Sequence, residues 1–454
     1  MYHNNTICGI STAPGVGGIA VIRVSGAGAI AVVEQLFVPK TAERRLCAQK
    51  SHTLRFGHIA NGKETVDEVL VSVFRAPHSF TGEETVEIAC HGSHYIQQRI
   101  LQLLLASGAR MAEAGEFTRR AFLNGKLDLA QAEAVADLIT AKSEAEHKVA
   151  MQQLRGGFSE ELQQLRDRLL SFASLLELEL DFSEEDVEFA DRAQFNALLQ
   201  EMQAVIRRLI RSFSLGNAIK NGVPVAIVGH TNVGKSTLLN ALLNEDRALV
   251  SDIHGTTRDT IEDCIQLHGV LFRFIDTAGL RHTDETIEQL GIARTYEKLR
   301  QATLVLLLLD ATRPETFSAI EEIRAQLNDT QQLIVAVNKV DLAACDIHSI
   351  PSPIYISAKN RQGMEALVEV LANHVNLSPI SADETVVTNL RHYEALQRTQ
   401  EALVRAAQGF ANNTPGDLVA QEVREALHHL GSITGAISTD EILSTIFGKF
   451  CIGK

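Results

Sequence analysis

The sequence predicts a multidomain protein: an α+β N-terminal domain, a discontinuous α-helical domain, and an α/β domain inserted between that helical domain's two stretches. Three patterns predict it. Short alternating strands mix with helices over residues 1–125. Long Ala-, Leu-, Gln- and Glu-rich stretches, with apolar residues three and four apart, fill 126–221 and 378–454. Strands and helices alternate over 222–377. The length of 454 residues suits three such units at about 150 residues each.

In the first domain, residues 19–24, 66–74 and 85–89 read as strands and 27–37 and 95–105 as helices. The first helical stretch is interrupted at Gly156-Gly157 and by the acidic segment 181–188, which lacks the glycine and spacing of a calcium loop. Helical spacing returns chiefly at 393–407, 417–430 and 439–447. Neither stretch can bury its apolar stripe alone, so the two are expected to pack on each other. Between them, residues 223–228, 261–267, 271–275, 303–309, 332–337 and 353–356 read as strands of a mostly parallel sheet covered on both faces.

The longest strongly apolar run, residues 304–309, is far below the roughly 20 residues of a membrane helix. No basic segment leads into an apolar stretch at the N-terminus, so no membrane association and a cytoplasmic location are expected. Six scattered cysteines without a C-x-x-C pair give neither a disulfide framework nor a zinc site. His91 and His94 lack the further ligands a metal requires. A net charge of −14 argues against bulk electrostatic coating of nucleic acid. It leaves room for local basic patches at Arg119-Arg120 with Lys126, or at Arg207-Arg208 with Arg211.

The inserted domain carries the chemistry. Gly229-His230-Thr231-Asn232-Val233-Gly234-Lys235-Ser236 satisfies G-x-x-x-x-G-K-[ST] between an apolar strand and an amphipathic helix. In that setting backbone N–H groups wrap a β-phosphate, Lys235 reaches the β- and γ-oxygens, and the Ser236 hydroxyl binds Mg²⁺. Asp276-Thr277-Ala278-Gly279 ends a strand, where Asp276 would hold Mg²⁺ through water and the Gly279 N–H would meet the γ-phosphate. Asn338-Lys339-Val340-Asp341 ends another. Asp341 can accept from both the N1–H and the amino group of guanine, a donor pair adenine lacks. Ser357-Ala358-Lys359 follows the last strand and would close over the base.

Between the phosphate loop and Asp276 lies Gly255-Thr256-Thr257-Arg258-Asp259. Thr257, or alternatively Thr256, would bind Mg²⁺ only while a γ-phosphate is present, which makes a switch. Leu280 stands where a water-positioning glutamine would be needed, and no arginine is placed as an internal finger. Asn232, inside the loop, carries a carbonyl able to ligate a monovalent cation.

The Asn232 loop, the switch at 255–259 and Asp276-Thr277-Ala278-Gly279-Leu280-Arg281 resemble the potassium-activated branch of the translation-factor-like GTPases. The wider chain resembles the tRNA modification GTPases of the MnmE/TrmE family. The likeness runs from Pro14-Gly15-Val16-Gly17-Gly18 and Arg23-Val24-Ser25-Gly26 through Ser79-Phe80-Thr81-Gly82-Glu83, His91-Gly92 and Gly115-Glu116-Phe117-Thr118. It continues in Asn124-Gly125-Lys126-Leu127-Asp128-Leu129 and reaches the terminal Phe450-Cys451-Ile452-Gly453-Lys454.

The resemblance implies nucleotide contacts along Asn232-Val233-Gly234-Lys235-Ser236-Thr237, Ser251-Asp252-Ile253-His254-Gly255-Thr256-Thr257, Asp276 to Gly279, Asn338, Lys339, Asp341 and 357–359. It places K⁺ at Asn232, Ser251, Ile253 and Thr256, and gives Glu288 the attacking water. Ser251 departs from the family's usual threonine. The first domain is then folate-binding-like and dimerising, with a 5-formyl-tetrahydrofolate-type donor held by Arg23, Glu87, Lys126 and Lys454, and with Cys451 as a candidate catalytic thiol. Implied partners are a second copy of the chain, tRNA, and an FAD-dependent subunit of MnmG/GidA type in a heterotetramer or larger assembly. The implied reaction adds an aminomethyl or carboxymethylaminomethyl group to C5 of the wobble uridine, position 34. The alternative is a regulatory or ribosome-assembly switch GTPase, for which the Arg23, Glu87, Lys126 and Cys451-to-Lys454 constellation has no role.

Overall fold

A computed structural model describes residues 5–41, 45–181, 192–245, 263–267, 270–275, 299, 302–313, 317–328, 331–342, 352–374, 385–412, 414–448, 450 and 453. Contacts divide the chain into two units, residues 1–139, 153–174 and 424–454 forming one and residues 140–152 and 175–423 the other.

The first unit is built on a seven-stranded sheet of β1 (Ile7–Ile10), β2 (Gly17–Ser25), β3 (Phe37–Pro39), β4 (Thr53–Asn61), β5 (Glu64–Phe74), β6 (Thr85–Gly92) and β7 (Arg110–Met111), in the order β3-β4-β5-β6-β2-β1-β7. All neighbours are antiparallel except β1 and β7. Alternation decides the faces. Ile22, Val24, Ile59, Val69, Val71, Val73, Val86 and Ile88 form one face of the core. They pack with Ile30 and Val33 of α1 (Ala29–Glu34) and Ile100 and Leu104 of α2 (His94–Ala106).

The helix expected over 27–37 ends at Glu34, and Phe37–Pro39 pairs with β4 instead. Burial of Phe37 in the sheet core outweighs helical continuation, and Pro39 is tolerated because β3 is an edge strand. No strand is read from the sequence at β4, which pairs with β5 as a hairpin. Gly62, at φ +63°, opens the two-residue loop between Asn61 and Glu64, the position a type II′ turn gives to glycine.

Arg119 and Arg120 lie in α3 (Glu116–Leu123) but form no open basic patch. Arg120 is buried against Glu83 and Glu116, and Arg119 pairs with Glu113. The Glu116 side chain is 1% exposed and accepts from Arg110, Arg120 and the Glu113 N–H. Burial raises its pKa, yet the hydrogen bonds from Arg110, Glu113 and Arg120 prevail and draw it from 4.5 down to about 2. A carboxyl lowered in this way adds stability that is fully present above pH 4.5 and is lost as pH falls toward 2. That shift corresponds to about 3 kcal/mol. Glu116→Gln should therefore lower urea-unfolding stability at pH 7 by about 3 kcal/mol, with most of the gap closed at pH 3. Equal stability at pH 7 would contradict this reading of the cluster.

The chain continues through α4 (Leu129–Thr140), α5 (Glu144–Leu154), α6 (Gly157–Asp181) and α7 (Arg192–Asn221). After the inserted α/β segment come α11 (Leu390–Ala411), α12 (Gly416–Thr434) and α13 (Asp440–Phe447), with the numbers α8 to α10 belonging to that segment. In the second unit the two helical stretches pack on each other through α7 and α11. Phe195 meets Phe410 at 4.8 Å, Phe213 stacks on Tyr393 at 4.3 Å, and the Val387 N–H donates to Ser212 Oγ at 3.1 Å. Gly216 permits the approach, since a Cβ there would overlap the Val387 carbonyl.

The inserted segment forms a six-stranded sheet from β8 (Val223–Val228), β9 (Asp263–Leu267), β10 (Val270–Phe274), β11 (Leu304–Asp310), β12 (Gln332–Asn338) and β13 (Ile354–Tyr355). The order is β13-β12-β11-β8-β10-β9, parallel throughout except for β9 against β10. On one face lie Leu238 and Leu242 of α8 (Lys235–Glu245) with Leu367 and Leu371 of α10 (Met364–His374). On the other lies Ile320 of α9 (Ala319–Arg324). Burial on both faces explains why β11 is apolar from Leu304 to Leu309.

Candidate functional site

The C-terminal ends of β8, β11, β12 and β13 place four loops on one edge of the second sheet, where ligands of parallel α/β sheets bind. The first is the phosphate loop. Gly229 has φ +147° and Gly234 φ +103°; a Cβ on the former would overlap the Leu308 carbonyl and on the latter the Asn338 side-chain amide. Both glycines are thus demanded by close approach as well as by backbone conformation. Lys235 and Ser236 begin α8, whose N-terminus favours an anion. Lys235 Nζ lies along the loop, donating to the carbonyls of Gly229 at 2.6 Å and His230 at 2.8 Å. Asn232 and Thr237 are exposed at the rim, while Val233 is buried beneath it.

Asn338 ends β12 and is 3% exposed. Its Nδ2 donates to the Val233 carbonyl at 2.8 Å, and its Oδ1 accepts from the Ala358 N–H at 3.0 Å. One side chain therefore fastens the phosphate loop to the loop after β13. That last loop is closed by an antiparallel bridge between Ser357 and Gln362 and by the Asn360 N–H donating to Ser357 Oγ. Ala358 is buried and Lys359 exposed. Asp341 lies exposed in the turn that leaves β12. Lys339 spans the site, its Nζ donating to the Asn232 carbonyl at 2.8 Å and to Asp310 Oδ2 at 2.6 Å.

Asp310 was missed by sequence reasoning. The signal was present: a lone carboxylate terminates the apolar β11, in register with Asn338 of β12. Ser251, Asp252, Ile253, His254, Gly255, Thr256, Thr257, Asp276, Thr277, Ala278, Gly279 and Glu288 lie outside the described residues, as do Cys451 and Lys454.

A second constellation sits on the first unit's sheet. Gly9, Arg23 and Glu87 form one cross-strand row over β1, β2 and β6. Arg23 is ion-paired with Glu87 at 2.8 Å, and its guanidinium stands 5.3 Å from the Phe80 ring and 5.6 Å from the Phe117 ring. Gly453 docks at the same row. Its carbonyl accepts from Ser11 Oγ at 3.1 Å, its φ is +98°, and a Cβ on it would overlap the Ile10 carbonyl. Lys126 is exposed, with its stem beside Gly82 in the loop that carries Phe80. The structure thus brings Arg23 and Glu87 into contact, sets Gly453 against their row, and leaves Lys126 beside the adjoining loop. His91 is held by Asp67, whose carboxylate accepts from its N–H at 2.8 Å and meets Nδ1 at 2.7 Å. Among the described residues no group of three or more His, Cys, Asp or Glu is placed to hold a metal.

Two family models match the chain, the MnmE helical domain over residues 129–451 and the GTP-binding protein TrmE N-terminus over residues 6–126. A tRNA modification GTPase MnmE of Bacteroides thetaiotaomicron is 52% identical over 467 aligned residues, covering 100% of both chains. One of Parabacteroides distasonis is 53% identical over 461, covering 99% of this chain and 100% of its own. Among solved structures, the FeoB G-domain of Methanococcus jannaschii aligns with 34% of this chain and 98% of its own at 25% identity, with a TM-score of 0.26. On the family models and the full-length relatives, the chain belongs to the MnmE/TrmE family of tRNA modification GTPases.

Proposed function

We propose that the chain hydrolyses GTP to GDP and phosphate as the nucleotide-driven subunit of a tRNA-modifying complex. Its reaction installs an aminomethyl or carboxymethylaminomethyl group at C5 of the wobble uridine. The observation that carries the GTPase reading is Asn338, which joins the phosphate loop to the loop after β13 and so sets phosphate and base recognition at a fixed separation. Lys235 and the α8 N-terminus meet the phosphates, Ser236 takes Mg²⁺ together with Thr257, and Asp341 reads guanine.

A cation beside Asn232 would supply the positive charge that no arginine finger provides. The donor chemistry fits K⁺: Asn232 is exposed at the loop rim, and its φ of +64° fixes how its side chain leaves the loop. Ser251, Ile253 and Thr256 would complete that site and Glu288 would orient the attacking water. In the first unit, Arg23 and Lys126 suit the glutamate carboxylate of a folate, and Glu87 suits the amino and N–H groups of its pterin. Phe80 beside Arg23 offers an aromatic surface for a ring. Lys454 follows Gly453, which is docked on that row. A 5-formyl-tetrahydrofolate-type donor would be held and oriented there by these residues and would supply the one-carbon unit, the reduced flavin of the FAD-dependent subunit supplying the two electrons that bring a formyl carbon to the methylene level. Cys451, three residues before the terminus, is the candidate thiol.

Val38, Leu54, Phe56 and Leu70 are exposed on the face opposite Ile59 and Val69, which supports homodimerisation through this sheet. The FAD-dependent subunit and tRNA complete the assembly. No described helix is long and apolar enough to cross a membrane, and a cytoplasmic site of action suits a tRNA substrate.

The experiment is GTP turnover by the purified full-length chain in KCl and NaCl. Turnover should be about tenfold or more faster in KCl, and Asn232→Ala should bring the two rates together. Equal wild-type rates in the two salts would exclude the cation-assisted mechanism.

A further inference from the structure

Asp310 has no place in the motifs that define the nucleotide site, yet it is tied to two of them. It ends β11 with its side chain 3% exposed. One carboxylate oxygen, Oδ1, accepts from the Thr312 N–H at 2.9 Å and the Thr312 hydroxyl at 2.7 Å. The other, Oδ2, accepts from Lys339 Nζ at 2.6 Å, and the same ammonium donates to the Asn232 carbonyl at 2.8 Å. Lys339 and Asn232 are both non-glycine residues held in the left-handed region, at φ +66° and +64°. Such conformations persist only where surrounding contacts over-determine them. A charge-assisted chain, Thr312 to Asp310 to Lys339 to Asn232, supplies those contacts.

We propose that Asp310 is a positioning residue for the guanine nucleotide, acting through Lys339 to hold the Asn232 carbonyl and with it the shape of the phosphate loop. The proposal rests on the nucleotide-site reading above. Burial disfavours the Asp310 charge, but hydrogen bonds from Lys339 and Thr312, with the charge of Lys339, hold its carboxyl below the ordinary range. The anion therefore persists at neutral pH. Without it, the Lys339 ammonium loses the partner that fixes it over Asn232, and the bond from Asn338 to the Val233 carbonyl is left to tie the base-reading turn to the phosphate loop.

The test is a GDP titration of the full-length chain and its variants, with melting midpoints measured in parallel. Asp310→Asn and Lys339→Met should each weaken GDP binding about tenfold. The double variant should bind within about twofold of Lys339→Met alone, because Asp310 acts only through Lys339. Thr312→Val changes an exposed residue that also holds the carboxylate, and should weaken GDP binding by a smaller factor; it keeps the test open if Asp310→Asn does not fold. A merely structural Asp310 would lower the melting midpoint while the folded chain kept its affinity. Unchanged affinity in Asp310→Asn, or losses that add in the double variant, would overturn the proposal. Those outcomes leave wild-type GDP binding intact, whereas a wild type that binds no GDP overturns both the proposal and the reading it rests on.

Discussion

Asp341→Asn should lower GTP affinity by about a hundredfold or more and make xanthine nucleotides the better ligands. The carboxylate would accept two hydrogen bonds, from the guanine N1–H and the exocyclic amino group, each to a charged acceptor and each worth about 1.5–3 kcal/mol. An asparagine keeps one acceptor and turns an NH₂ toward the guanine amino group, so donor faces donor. Xanthine carries a carbonyl at that ring position and restores the pair. Because Asp341 is exposed in the turn after β12, the change acts on recognition with little effect on packing. Competition between GTP and XTP for the full-length chain checks it; an unchanged preference for guanine would remove Asp341 from base reading.

The proposed role of Asp341 could be framed from the sequence because it follows an apolar strand at a fixed short distance from Asn338. The work of Asn338 itself was less legible. Its bonds reach Val233, 105 residues back, and Ala358, 20 residues on, and only the parallel register of β8, β11, β12 and β13 brings these together. Asp310 was hidden for a related reason. As the last residue of a hydrophobic run it resembles any polar strand end, and its meaning depends on Lys339 one strand away.

In the first unit the alternating strands β2, β5 and β6 announced themselves, whereas β1, β3 and β7 are too short to carry a period of their own. The helix expected at 27–37 failed where local spacing and tertiary burial disagreed, at Phe37. The Arg23–Glu87 pair is a matter of register, Arg23 opposite Glu87 across β2 and β6. The docking of Gly453 on β1 joins residues 442 apart in the chain, Ser11 and Gly453. No local pattern could show either.

The larger expected effect lies outside the nucleotide site. If GTP turnover drives modification, removing the chain should abolish the C5 aminomethyl-type groups on wobble uridines altogether, since no other step delivers the carbon to that position in the proposed reaction. A chain that folds but cannot grip the phosphates should fail equally. Lys235→Ala provides that control, because its ammonium is the cation set inside the phosphate loop and its loss removes charge from the developing transition state. A switch GTPase with no modifying role would share every nucleotide motif, so hydrolysis assays alone do not separate the two readings.

The decisive measurement is mass spectrometry of wobble nucleosides from tRNA of cells lacking this protein, complemented with wild type or with Lys235→Ala. The expected result is loss of the aminomethyl and carboxymethylaminomethyl uridines, return with wild type, and no return with Lys235→Ala. Unaltered wobble uridines in the deleted cells would contradict it.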